Sequence, residues 1–151
     1  MEKIDDLDRK ILTVITQNAR IPFKDVADMC GVSRAAIHQR VQKMYDNGVI
    51  LGSGYQVNPK MLGYQMCSFV GIRLEKGNMY KQVAKALEGI PEVTEVLYCL
   101  GAYSMLIRLY AKDDHHLLHL LNDCILEIPG VSSTETMSVL DESVSRELPI
   151  E

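Results

Sequence analysis

This chain of 151 residues lacks the features that mark several protein classes. No apolar run reaches the roughly 20 residues of a membrane-spanning helix, and the charged N-terminus has no signal-peptide core, so we expect a cytoplasmic protein with no membrane partner. The four cysteines include no CxxC pair, which predicts buried free thiols in a reducing compartment. No Ser-His-Asp order, glycine-rich phosphate loop or close carboxylate pair stands out, so we predict no enzyme and no cofactor.

Charge is divided unevenly along the chain. The net charge is −4, yet residues 1–60 hold nine Lys and Arg against seven Asp and Glu, whereas residues 61–151 hold seven against thirteen. Salt screens charge over about 10 Å, so these local balances matter more than the total. A basic part joined to an acidic part indicates a nucleic-acid-binding module tied to a module with another task. We therefore predict two domains, 1–60 and 61–151.

The first domain carries the pattern of a helix-turn-helix. Gly31 follows the small Ala27 at the point where one helix must stop, and Ser33 can cap the next helix with its hydroxyl. Apolar residues at helical spacing would hold that last helix against the others, namely Ile37, Val41 and Met44. The three predicted helices cover about 5–18, 22–30 and 34–47, and an extended segment follows at about 49–57.

The opposite side of the third predicted helix carries small, amide and basic side chains, which suit base edges and phosphates. The predicted base contacts are Arg34, His38 and Gln39. The predicted phosphate contacts are Arg20, Arg40 and Lys43. The rest of the predicted DNA surface is Ser33, Ala35 and Gln42. The alternative is an ordinary three-helix bundle with a polar outer face. One such module binds too weakly to be specific, so we expect a dimer that reads two half-sites of double-stranded DNA.

An internal repeat organises the second domain. Ile72-Arg73-Leu74 recurs as Ile107-Arg108-Leu109, and an Ile-Pro-x-Val turn occurs at 90–93 and again at 128–131. Each copy reads strand, helix, turn, strand, which predicts a ferredoxin-like βαββαβ domain after a winged-helix-like first domain, an α+β fold overall. The predicted strands cover about 65–74, 93–100, 103–111 and 132–140. The stripe of the last helix would be Leu117, Leu121, Cys124, Ile125 and Ile128.

Two further expectations concern the edges of this domain. Helices on one face leave the other apolar sheet face uncovered, and a facing second copy is the simplest cover, so we predict a homodimer. The tail 141–151 could add an edge strand through Val144 and Leu148.

Three polar clusters in the second domain have more than one interpretation. The turn at 100–104 is either a tight hairpin or a set of N–H groups and hydroxyls that binds a small carboxylate. The threonines at 134 and 136, considered alone, are structural. His115 and His119 are spaced to bind a metal, which would make the protein a metal-dependent enzyme. No Cys or His nearby in sequence supplies the remaining ligands, so we favour a solvated or subunit-facing surface and predict no metal site.

Several short motifs, weak one by one, occur together and in order. They are Leu7-Asp8-Arg9-Lys10-Ile11-Leu12, Asn18-Ala19-Arg20, the helix-turn-helix, Gly48-Val49-Ile50, Leu62-Gly63-Tyr64, Pro91-Glu92-Val93, Gly101-x-Tyr103 and Ile128-Pro129-Gly130-Val131. Over nearly its full length the chain thus resembles the Lrp/AsnC family of transcription regulators. The resemblance implies a βαββαβ effector-binding domain, dimers that often assemble to octamers, and a response to amino acids.

The chain departs from the family pattern in one turn. Many members read Gly-Asp-Tyr-Asp where this chain reads Gly101-Ala102-Tyr103-Ser104, so two carboxylates are absent, and Glu135 or Asp123 would have to bind the effector ammonium. With Ser133-Thr134-Glu135-Thr136, the turn looks more like the AsnC branch, which implies asparagine or a related polar amino acid as effector. The implied pocket, formed between dimers, consists of Tyr98, Cys99, Leu100, Gly101, Ala102, Tyr103, Ser104, His119, Asp123, Thr134, Glu135 and Thr136. The alternative is an architectural DNA-binding protein that ignores ligands.

Overall fold

The computed structural model describes residues 4–151, which divide into two compact units. The first unit comprises the described residues up to Gln56 together with the tail Ser145–Glu151. The second unit is Val57–Val144. The tail, predicted to be part of the second domain, thus groups with the first unit by its contacts. The predicted edge strand in the tail is wrong, since residues 141–151 form no strand. Ile150 instead packs against the apolar core of the helical unit, which removes apolar surface from water, while Val144 and Leu148 stay 70% and 88% exposed.

Three helices form the first unit: α1 (Asp6–Gln17), α2 (Phe23–Cys30) and α3 (Arg34–Asp46). Each boundary follows from local chemistry. Asp5 accepts a hydrogen bond from Asp8 N at 2.8 Å, and the Asp8 carboxylate accepts one in return from Asp5 N at 3.1 Å. Gly31 ends α2 in the left-handed region at φ 69°, and Ser33 Oγ accepts from Ala36 N at 3.1 Å to start α3.

The core of the first unit packs the three helices together. Ile11 from α1, Val26 from α2 and Ile37 from α3 are fully buried together. The stripe predicted for α3 is confirmed, because Val41 and Met44 are buried as well. Residues 49–57, predicted to be extended, form no regular strand. Every residue from 51 to 57 is exposed, and no neighbouring strand of the same unit satisfies the backbone there.

The second unit has the predicted ferredoxin-like order, and the fold class is confirmed. Its strands are β1 (Met66–Leu74), β2 (Val93–Tyr98), β3 (Met105–Ala111) and β4 (Val131–Ser138), with antiparallel neighbours in the order β2-β3-β1-β4. Its helices are α4 (Tyr80–Glu88) and α5 (Asp114–His119), and α5 continues as a π-helix over Leu120–Ile125. Short 3₁₀ turns occur at Pro59–Leu62 and Gly77–Met79.

Strand alternation gives this sheet two different faces. The helix-covered face buries the side chains Val70, Ile72, Met105, Ile107 and Leu109 together with Val83 and Leu87 of α4. The other face, here called the open face, presents Phe69, Arg73, Leu97, Leu106, Arg108, Tyr110, Glu135 and Met137. Leu97 and Met137 on the open face are 49% and 43% exposed. The open face thus carries apolar side chains beside charged ones and is only partly covered within one chain.

The π-helix changes the predicted stripe of the last helix. Leu126 N donates to Leu121 O at 2.9 Å, an i to i−5 bond that adds one residue to the turn. Leu120 and Ile125 are consequently buried, while Leu121 and Cys124 are only half-buried. The same turn brings His119 and Cys124, five residues apart, within contact of each other.

Candidate functional site

One side of α3 faces solvent, as predicted. The exposed side chains of this surface are Arg34, Ala35, His38, Gln39, Gln42 and Lys43, and Ser33 precedes them. The buried side of the same helix holds Ile37, Val41 and Met44. Hydrophobic packing therefore fixes the orientation of α3 and leaves its amide and basic groups outward. Such a surface can enter the major groove of a DNA duplex.

Several side chains of this surface also contact the protein itself. The His38 ring meets the edge of the Phe23 ring at 4.6 Å between centroids, and Gln42 Nε2 donates to Asp46 Oδ1 at 2.9 Å. The Ser33 hydroxyl is engaged as the α3 cap. Arg20, a predicted phosphate contact, lies over the Tyr55 ring at 4.4 Å. These contacts limit the rotamers of the side chains, so less ordering is required when they meet DNA.

Arg40 is engaged in ion pairs within the protein. The predicted phosphate contact is half-buried, and its Nη1 pairs with the carboxylate of Asp5 and, at 3.1 Å, with Asp8 Oδ1. The hydrogen bond from Arg40 lowers the pKa of Asp5 below its ordinary value. Arg40 therefore ties α3 to the N-terminus of α1. The sequence did not indicate this pair, because 35 residues separate Arg40 from Asp5.

A second polar group lies on the open face and is called here the Tyr103 cluster: Gly71, Arg73, Tyr103 and Glu135. The Tyr103 ring covers Gly71, and the Tyr103 hydroxyl donates a hydrogen bond to Glu135 Oε2. Arg73 lies over the same ring at 4.8 Å, and its Nη2 is 4.0 Å from Glu135 Oε2. The hydrogen bond to Glu135 raises the pKa of Tyr103. A cation, an anion and a hydroxyl thus meet on one side of the sheet.

The other predicted effector residues do not join this cluster within one chain. Thr134 and Thr136 pair with Ile72 and Val70, so their side chains point to the helix-covered face. Tyr98 stacks on Tyr80 with 4.2 Å between ring centroids. The turn is open, with Leu100, Gly101 and Ala102 all exposed, whereas Cys99 N donates to Ser104 O at 2.9 Å and closes the strand ends below it. The predicted set therefore splits between the two faces of the sheet.

His119 and Asp123 form a third location on the surface of the last helix. His119 Nδ1 is 2.8 Å from Asp123 Oδ2, and both side chains are exposed. His119 thus contacts Asp123, whereas the metal hypothesis paired His119 with His115. Over residues 4–151 the structure brings no three His, Cys, Asp or Glu side chains together in a way that could hold a metal ion. Within the same residues, no helix is both long and apolar enough to cross a membrane.

Sequence reasoning missed two members of the Tyr103 cluster. Gly71 stands in the middle of an apolar strand, and a glycine there often marks the close approach of another group. Arg73 is an exposed cation within the repeated Ile-Arg-Leu segment. The pairing register of β1 and β4 brings the cluster together, because Gly71 lies directly opposite Glu135.

Comparisons with known proteins agree with this architecture. Residues 4–45 match the AsnC-type helix-turn-helix domain, and residues 67–149 match the Lrp/AsnC ligand binding domain. The chain belongs to the Lrp/AsnC family. The regulatory protein AsnC of Escherichia coli strain K12 is 40% identical over 143 residues, which cover 95% of this chain and 94% of that protein.

Solved structures of this family share the whole fold. The structure of E. coli AsnC superposes with a TM-score of 0.91 at 38% identity and covers 98% of this chain and 99% of that one. A feast or famine regulatory protein from M. tuberculosis complexed with L-methionine has a TM-score of 0.90 at 24% identity, with 99% and 100% covered. This Lrp/AsnC protein is therefore a DNA-binding transcriptional regulator with a ligand-binding domain, and not an enzyme.

Proposed function

We propose that the second domain of this Lrp/AsnC regulator binds a small polar amino acid such as asparagine. The observation that carries the proposal is the Tyr103 cluster, in which Arg73 Nη2 and Glu135 Oε2 lie 4.0 Å apart beside the Tyr103 hydroxyl. A free amino acid carries one negative and one positive end, and each must be matched when it is buried. Arg73 suits the carboxylate and Glu135 suits the ammonium, in place of the turn carboxylates that this chain lacks.

A dimer is the second part of the proposal. The open face exposes the apolar side chains Leu97 and Met137 beside its charged groups, and exposed apolar surface of this kind marks an interaction site. The segment 51–57 adds further exposed apolar side chains, with Leu51 95%, Tyr55 80% and Val57 60% exposed. A second copy of the chain that packs against the open face and the segment 51–57 would bury these apolar side chains. The resulting dimer would carry two DNA-binding helices and so twice the DNA contacts. We extend the proposal to an octamer assembled from such dimers.

Charge-matched binding makes a specific prediction for the ligand. We expect Glu135→Gln and Arg73→Gln each to weaken asparagine binding by about 10- to 100-fold, since each removes a hydrogen bond to a charged group, which contributes about 1.5–3 kcal/mol. Titration calorimetry on the full chain with asparagine, methionine and leucine measures the effect. Glu127→Gln, an exposed carboxylate outside the cluster, is the matched control and should bind as the parent protein does.

Two outcomes would count against the ligand proposal. Equal affinity in the Glu135→Gln variant and the Glu127→Gln control would remove the Tyr103 cluster from the site. No heat from any of the twenty amino acids, with unchanged DNA binding in their presence, would favour the architectural alternative. Sedimentation velocity on the same samples tests the assembly, and a monomer at micromolar concentration would contradict the dimer.

DNA recognition separates into base readout and phosphate contact. We expect Gln39→Ala to reduce the preference for the operator over random DNA, because an amide that reads a base contributes about 1–3 kcal/mol of discrimination. Lys43→Ala should instead weaken binding to all sequences and reduce the slope of log affinity against log salt by about 1. Fluorescence titrations at several salt concentrations measure both. Gln82→Ala in the second unit is the amide control, and two variants that both titrate like it would refute the assignment of α3.

A further inference from the structure

We propose that Cys124 is a reactive thiol of this protein, activated by His119 and oxidised by hydroperoxides. Cys124 Sγ lies 3.7 Å from His119 Nε2, and His119 Nδ1 lies 2.8 Å from Asp123 Oδ2. The three side chains therefore form a chain from thiol to imidazole to carboxylate. This arrangement of nucleophile, base and orienting acid is the one by which proteins activate cysteine.

The π-helix creates this arrangement. In a regular α-helix, residues i and i+4 lie on the same face, which brings Asp123 to His119. Residue i+5 would be turned away by a further 100°, but the wider turn over Leu120–Ile125 brings Cys124 back toward His119. An irregularity in the hydrogen-bond ladder is thus what places the thiol against the imidazole.

Exposure of the cluster fits a reaction with a small solute. His119 and Asp123 side chains are 59% and 68% exposed, while Cys124 is half-buried against the apolar core. Solvent can therefore reach the imidazole, and the sulfur lies at the boundary between core and surface. A buried structural cysteine has no such neighbour and is inert.

The reaction balances with the groups present. His119 Nε2 takes the thiol proton, and Asp123 accepts the hydrogen bond from Nδ1–H and stabilises the imidazolium. The thiolate attacks one oxygen of the hydroperoxide, an S–O bond forms and the O–O bond breaks. The leaving alkoxide or hydroxide takes the proton from the imidazolium. Sulfur is oxidised by two electrons to a sulfenic acid, and the peroxide is reduced to an alcohol or water.

A labelling experiment tests this proposal without any amino-acid ligand, so its outcome is independent of the proposed effector. The reduced full-length protein is treated with one equivalent of hydrogen peroxide, trapped with dimedone, digested and quantified by mass spectrometry. We expect Cys124 to be labelled at least about tenfold faster than Cys30, Cys67 or Cys99, since a positioned base accelerates proton transfer by about 10²-fold or more. Those three free cysteines are controls within the same molecule.

Variants decide whether the imidazole is responsible. His119→Gln and Asp123→Asn should both reduce the labelling rate of Cys124 toward that of the other cysteines, with the larger loss in His119→Gln. His115→Gln, on the exposed side of α5, is the matched control and should leave the rate unchanged. Equal labelling of all four cysteines in the parent protein, or a His119→Gln variant that reacts at the parent rate, would overturn the proposal. Circular dichroism of each variant excludes loss of fold as the cause.

Discussion

A valine in place of Gly71 should abolish amino-acid binding while the helix-turn-helix unit remains intact. A Cβ at this position would lie 2.6 Å from Cγ and Cδ1 of the Tyr103 ring, closer than real contacts allow. The backbone of Gly71 itself has no positive φ, so only the ring prevents a side chain. The ring must leave the strand, and Tyr103 then loses its hydrogen bond to Glu135 and its contact with Arg73. We expect at least about 100-fold weaker binding by calorimetry, the loss typical of a displaced site group.

The same substitution should also destabilise the second domain, by about 1–3 kcal/mol for an overpacked site. Tyr103→Ala in the Gly71→Val background should restore that stability but not binding, because removing the ring removes the clash. Gly52→Val is the matched control, since a Cβ there meets nothing within 4 Å. Denaturant titrations of the four combinations at positions 71 and 103 give the coupling energy. Purely additive effects would show that the Tyr103 ring does not lie over Gly71.

Local chemistry made most of the elements predictable. Caps such as Ser33 and Gly31, and apolar residues at helical spacing, define α1 to α3 to within one or two residues. Alternation along the strands and the internal repeat gave the ferredoxin-like domain and its open face. These signals act between residues that are close in sequence, and tertiary packing agrees with them here.

The contacts that the sequence did not predict depend on long-range pairing or on an irregular helix. Arg73 and Gly71 reach Glu135 only through the pairing register of β1 and β4. The π-helix leaves no sequence periodicity of its own, so the contact of His119 with Cys124 could not be predicted. The packing of Ile150 against the core of the first unit has no local sequence signal either, because that core is distant in sequence.

Arg40→Ala should separate a positioning residue from a phosphate contact. The guanidinium pairs with Asp5 and Asp8 at the start of α1, so its loss should lower the melting temperature of the helix-turn-helix unit by several degrees and weaken binding to every DNA sequence. The slope of log affinity against log salt should stay unchanged, because no phosphate contact is lost. Arg34→Ala, an exposed cation of the same helix, is the control and should leave the melting temperature unchanged.

The stabilisation by the Arg40–Asp5 ion pair should change with pH in one direction only. Arg40 lowers the pKa of Asp5 in the folded state, so the unfolded chain binds a proton first as the pH falls. The stabilisation is fully present above the ordinary aspartate pKa of about 3.9 and disappears as the pH falls through the lower folded value. The difference in melting temperature between the parent protein and Arg40→Ala should therefore be constant from pH 7 to 5 and shrink below pH 4. A difference that grows on acidification would contradict the ion pair as the source of the stabilisation. A salt slope that falls by about 1 in Arg40→Ala would show that Arg40 contacts phosphate.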